Sequence, residues 1–186
     1  MLKLMGEQLE FVKYIAGRLD SVKMPYMLTG SVAMAVYAEP RMTRDLDIVI
    51  DCRPADAVVL VRLLEPECYV DVDAIRKAID SHTMFNAIHR KLLIKADFIV
   101  RKSETYREVE FERRRPLEID AIRVWVVAPE DLVLSKLAWA KESRSSQQIG
   151  DVRLLVNSVQ DMDWDYLEMW AVQLGVEKTL AEARSK

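Results

Sequence analysis

Asp45 and Asp47 flank a single leucine at the head of the apolar run "DLDIVID", and Gly30 and Ser31 follow the earlier apolar run "YML". In an extended strand side chains alternate, so the two carboxylates share one face, ~6.5–7 Å apart at Cα, with Leu46 and Ile48 on the other. Such a pair offers hard oxygen donors to Mg²⁺ or Mn²⁺, ions that take one or two protein carboxylates and fill their shell with phosphate oxygens. Gly30 and Ser31 supply the matching half, because a tight turn into a helix leaves main-chain N–H groups unpaired, and these seat phosphates. Asp97 interrupts the apolar run "LLIKADFIV", where an unpaired charge is costly. It is the candidate third carboxylate, serving the acceptor side as metal ligand or as base. Arg44, beside the pair, carries forked donors suited to phosphate charge. The chemistry that fits this combination is phosphoryl transfer from a triphosphate with divalent metal.

The elements that must position these residues can be read from periodicity. Leu9, Val12, Ile15, Ala16 and Leu19 recur at helical spacing and predict a helix from about residue 3 to residue 20. "YMLTG" reads as a strand stopped by Gly30, and "SVAMAVYA" as a small-residue helix with Ser31 as its cap, ending before Pro40. "DLDIVID" is the second strand, residues 54–65 a helix opened by Pro54, and "DVDAIRKAIDSH" a short helix capped by Asp71 or Asp73. Leu92 to Val100 is the third strand, and two more short strands are expected around Arg115 and Pro116, the second being "IRVWVVA". From Pro129 onward the pattern is helical. The expected organisation is a mixed α/β core over residues 1–128, a small mixed sheet flanked by helices, followed by a helical C-terminal part, residues 129–186, that closes the nucleotide site.

Composition narrows the class. The chain has 186 residues, 51% of them hydrophobic, enough for a real core, and a net charge of -3, without the basic excess that announces nucleic-acid binding. Two cysteines, Cys52 and Cys68, fit a reduced cytoplasmic protein better than a disulfide scaffold. Charges at Lys3, Glu7, Glu10 and Lys13 make the first segment an amphipathic helix, neither a secretory leader nor a membrane span.

Plainer readings stand beside the sharp ones. "DVDAI" at 71–75 has the same spelling as the aspartate pair, but a helical pattern follows it, so capping is the better reading. His82 and His89 meet no other ligand at zinc-site spacing and read as structural or exposed. Arg113, Arg114 and Arg115 form a small basic cluster that reads as a solvated turn, and Trp139, Trp164 and Trp170 read as helix packing. Lys136 sits among leucines on an amphipathic helix, where a solvated lysine is the plain alternative.

"GS", a short helix, "DLDIVI" and the later "KADFIV" together resemble the signature of the polymerase-β-type nucleotidyltransferase superfamily. "PRMTRDLDI", "PEDLVLSKLAWAKES" and "SSQQIGDVRLL" are similar to its AbiEii-like minimal members, some of which are toxins of toxin–antitoxin pairs. The resemblance covers about residues 20–156. It implies the nucleotidyltransferase fold and transfer of a nucleoside monophosphate from an NTP to an acceptor hydroxyl of RNA such as tRNA, of a protein or of a small molecule. By position it implies that Gly30 and Ser31 hold the triphosphate, Asp45 and Asp47 the metals, and Asp97 the acceptor side. Lys136 matches the lysine that reaches the nucleotide, and Asp151 an aspartate that orients that lysine or the base. An antitoxin partner is implied for a toxin. A scaffold that keeps the fold and only binds nucleotide or a partner is the non-catalytic alternative.

Overall fold

A computed structural model describes residues 6–39 and 45–184 of the chain. Seven strands form one mixed sheet: β1 (Tyr26–Thr29), β2 (Asp45–Ile50), β3 (Cys68–Tyr69), β4 (Met84–His89), β5 (Lys95–Val100), β6 (Arg115–Ile119) and β7 (Ile122–Val126). Their order across the sheet is β3-β4-β5-β2-β1-β7-β6. β2 and β5 run parallel at its centre, and β1 lies antiparallel to β2. Pro116, which has no N–H to give a ladder, sits in the edge strand β6.

Alternation divides the central strands cleanly. Leu46, Ile48 and Ile50 of β2 and Ala96, Phe98 and Val100 of β5 are buried on one face. There Phe85 and Phe98 stack with ring centroids 5.0 Å apart. His89 shares this face, meeting Phe11 of helix α1 (Gly6–Ser21) edge-on. Its Nδ1 accepts from the main-chain N–H groups of Lys91 and Leu92, and its Nε2 lies 3.3 Å from Glu67, so it is a structural histidine.

Helices α3 (Ala57–Leu64) and α4 (Val72–Ser81) follow β2 and flank β3. Asp71 caps α4, accepting from the N–H groups of Asp73 and Ala74 at 2.9 and 3.1 Å. The second D-x-D is therefore a cap. Asp71→Ala is expected to cost about 1 kcal/mol of stability in a urea titration and to leave any transfer activity untouched.

Three elements were not foreseen: β3, β4 and the helix α5 (Thr105–Glu112). β4 reads "MFNAIH", with His89 on the buried face and Met84 and Ile88 exposed. Its apolar pattern points away from the core as well as into it, so alternation gave no signal. The remaining helices are α2 (Gly30–Tyr37), α6 (Pro129–Ser143), α7 (Ser146–Ser158), α8 (Trp164–Leu174) and α9 (Glu177–Arg184). The predicted start of α1 at residue 3 and the end of the chain lie outside the described residues.

The arginine cluster is not a solvated turn. Arg113 binds Glu130 at 3.1 Å and Asp131 at 2.9 Å, and Arg115 binds Glu130 at 3.2 Å. Both carboxylates are buried in the first turn of α6, and Tyr166 of α8 donates to Asp131 at 2.5 Å. A buried carboxylate needs such partners. These pairs tie the end of α5 and the edge of the sheet to α6 and α8.

Candidate functional site

The face of the sheet opposite Phe85 and Phe98 carries the chemistry, arranged in rows set by register. Thr29, Asp47, Asp97 and Asn86 are successive partners across β1, β2, β5 and β4. One row away, Asp45, Lys95 and Ile88 stand side by side. On the other side Val49, Ile99 and Met84 form an apolar row. Parallel pairing thus puts Asp47 and Asp97 on adjacent strands, ~4.8 Å apart in the pairing direction, and Asp45 two residues before Asp47 on the same face.

Gly30 closes against this row. It begins α2 with φ +60, a left-handed conformation that suits glycine. A Cβ there would lie 2.0 Å from Asp47 Oδ2. The main chain approaches the carboxylate so closely that no side chain fits between them. Thr29, not Ser31, is the residue at the helix cap, and no side-chain capping bond is made. The expectation that Ser31 caps the helix is corrected. Its hydroxyl donates to the Asp45 main-chain oxygen at 3.3 Å, and its N–H donates to the Asp47 carboxylate.

Burial pushes the Asp47 carboxyl above its ordinary range, and the neighbouring Asp97 charge pushes it further; the Ser31 N–H and the charge of Lys136 oppose this. Asp97 accepts from Lys95 Nζ at 2.9 Å and from the Asn86 side-chain amide. The same ammonium lies 3.6 Å from Asp45. The hydrogen bond from Lys95 to Asp97 holds the amine above the ordinary lysine range. Both oxygens of Asp97 are therefore used as acceptors.

Lys136 of α6 is buried and bound to Asp151 of α7 at 2.7 Å and to Gln148 Oε1 at 3.2 Å. The solvated-lysine reading does not hold. The crossing of α6 and α7 delivers this pair toward Asp47, whose carboxyl feels the lysine charge. Arg44 lies outside the described residues.

A cavity of about 450 Å³ runs from Gly30, Asp47 and Lys136 along the apolar row of Val49, Ile99 and Met84. That is within the range of small-ligand sites. Trp139 of α6, 56% exposed, stands on its wall, so it is an open aromatic face, unlike buried Trp170. At the far end Arg107 binds Glu110 at 2.8 Å and Ser135 at 2.6 Å.

Could these residues take a divalent ion? Among the described residues no group of three His, Cys, Asp or Glu side chains is arranged to hold one. The donor chemistry nevertheless fits a hard cation, and a cation is already gathered there: the Lys95 ammonium bridges Asp45 and Asp97. The thiols do not contribute, since burial raises Cys52 to about 12 and Cys68 to about 11.

Lys95, Asn86 and the open face of Trp139 escaped the sequence reading. Lys95 had a signal, lying two residues before Asp97 on one strand face. Asn86 had none, because β4 itself was illegible.

A family model described as nucleotidyltransferase of unknown function (DUF6036) matches residues 4–182. No curated protein matches the chain significantly. Among solved structures it is similar to an antigenic nucleotidyltransferase-like protein from Paracoccidioides brasiliensis, with TM-score 0.63 and 18% identity over 96% of this chain and 92% of that one. It is also similar to the lincosamide antibiotic adenylyltransferase LnuA, solved with lincomycin bound, with TM-score 0.56 and 14% identity over 83% of this chain and 99% of that one. A third is ANT(2")-Ia in complex with adenylyl-2"-tobramycin, with TM-score 0.55 and 17% identity over 96% of this chain and 97% of that one. At these identities the likeness establishes the fold.

Proposed function

The chain belongs to the nucleotidyltransferase family of unknown function DUF6036, and from that membership we propose that it transfers a nucleoside monophosphate from an NTP to an acceptor hydroxyl, releasing pyrophosphate. The observation that carries this reading is the row in which Asp47 and Asp97 stand side by side beneath the Gly30 main chain, with room for no side chain between. Phosphates are favoured by the main-chain N–H groups of a helix start and by a gathered cation; α2 begins at Gly30 against that row, and Lys95 in the next row already gathers Asp45 and Asp97.

In this reading Gly30 and Ser31 seat the triphosphate at the start of α2. Asp45, Asp47 and Asp97 would hold Mg²⁺ or Mn²⁺. A bound ion would supply charge neutralisation at the phosphates and would make the attacking hydroxyl more acidic. Asp97 serves the acceptor side, as a ligand of that ion or as the base that takes the acceptor's proton when the acceptor oxygen bonds to the α-phosphorus. The bond from that phosphorus to the oxygen bridging to the β-phosphate breaks, and pyrophosphate leaves with the electron pair. Lys136, held by Asp151 and Gln148, points its charge at the phosphates, and Trp139 offers a face on which the base can stack. The helical part from Pro129 onward closes this side of the nucleotide.

The likeness of Pro129–Ser143 and of the stretch 145–155 to AbiEii-like proteins supports a toxin that modifies tRNA and is held by an antitoxin. The cavity that opens from Gly30 and Asp47, of about 450 Å³, is of small-ligand size, and a small-molecule acceptor is the second reading. One assay separates them: the protein is incubated with each labelled NTP, Mg²⁺ and, in parallel, total RNA, protein lysate or a small-molecule extract, beside the Asp45→Ala/Asp47→Ala variant. Label is expected to move to one acceptor pool with the native protein only. Equal transfer by both proteins, or transfer by neither, overturns the enzymatic reading and leaves a nucleotide- or partner-binding scaffold.

A further inference from the structure

We infer that Lys95 is an internal counter-ion of the carboxylate cluster and that it competes with a divalent cation for the same oxygens. The inference rests on the reading above that the cluster is a metal site. Register makes Lys95 the neighbour of Asp45 across the β2–β5 pairing, and alternation puts it on the same face as Asp97, two residues on. Its ammonium donates to Asp97 Oδ2 at 2.9 Å and lies 3.6 Å from Asp45 Oδ2. One side chain thus spans two of the three carboxylates.

A divalent ion between Asp45 and Asp97 would need the oxygen that Lys95 now holds. It would also stand within a few ångström of a positive charge, and like charges so placed oppose each other strongly. Ion and ammonium therefore cannot share the cluster. The lysine has somewhere to go: its side chain is 36% exposed, on a flexible stem. Without nucleotide, Lys95 offsets the repulsion among the aspartates and keeps them gathered. When a triphosphate arrives with its metal, the phosphates give the displaced ammonium a new anionic partner. Lys95 is thus a positioning residue that couples metal entry to nucleotide entry, disfavouring the free ion alone.

The test is a Mn²⁺ titration of the full chain, read by electron paramagnetic resonance and by calorimetry, without and then with a non-hydrolysable NTP analogue. Lys95→Met is expected to bind Mn²⁺ more tightly than the native protein without nucleotide, on the order of tenfold or more. The difference should shrink when the analogue is present. Lys95→Arg, which keeps the charge, should resemble the native protein. Circular dichroism checks folding, and Lys95→Gln replaces the methionine variant should that one not fold. Equal or weaker Mn²⁺ binding by the neutral variants, with binding by the native protein intact, overturns the competition while leaving the metal site standing. If neither protein binds Mn²⁺ even with the analogue present, the metal site itself fails, and the competition fails with it.

Discussion

Asp47→Asn is expected to lower nucleotidyl transfer by about 10³-fold, the scale of losing one preorganised electrostatic partner of a transition state, while making the protein no less stable near neutral pH. The two effects have one cause. Asp47 is a partly buried carboxylate beside Asp97, and both burial and that neighbour raise its pKa in the folded chain. A carboxyl whose folded pKa lies above its unfolded value binds more protons folded than unfolded, so stability falls as pH rises from the ordinary aspartate range through the raised value. Above that window the native protein carries the whole penalty. Asparagine removes it, and its side-chain oxygen can still accept from the Ser31 N–H. Melting temperatures of both proteins across pH 3 to 8 should show the native protein losing ground to the variant as pH increases. A variant that is less stable at pH 7, or that keeps its transfer rate, contradicts the role given to Asp47.

Among the glycines, Gly30→Ala should be the most damaging added methyl. The new Cβ would meet Asp47 Oδ2 at 2.0 Å, Cγ at 2.6 Å and Cβ at 2.9 Å, contacts that only displacement of the carboxylate or of the turn can relieve. The positive φ adds roughly 1–2 kcal/mol. Displacing a reacting group by about 1 Å can cost on the order of 10²-fold in rate, so activity should fall by at least that much together with stability. A double-mutant cycle separates the causes. In Gly30→Ala/Asp47→Ala the clash is gone, and urea titrations should return the part of the loss that exceeds the backbone cost. If the two changes add without coupling, the close approach is not what restricts residue 30 to glycine.

How far the chain could be read in advance depended on the range of each interaction. Strand β1, the turn at Gly30, helix α2 and strand β2 were legible because glycine, the small-residue run and the period of two are properties of adjacent residues. The same holds for Asp71, whose capping bonds reach two and three residues along the chain. Ser31 misled, because serine is a favoured cap, but the turn placed Thr29 in that position and turned Ser31 to Asp45 and Asp47. The arginines at 113 and 115 misled for a different reason: their partners Glu130 and Asp131 lie beyond the β6–β7 hairpin, and a basic run looks solvated until its distant acids are known.

Local pattern alone determined that Asp45 and Asp47 share a face, that a glycine turn precedes them, and that Asp97 breaks an apolar strand. Only tertiary pairing decided that Asp97 lies beside Asp47 rather than a residue out of step, since slipping β5 by one position would turn its carboxylate into the core. Tertiary packing likewise brought Lys95 across to Asp45, joined Lys136 to Asp151, and left Trp139 open on the wall of the cavity. Alternation and turns follow from the covalent geometry of neighbouring residues. The choice of which strand or helix lies next to which is made by the whole core at once.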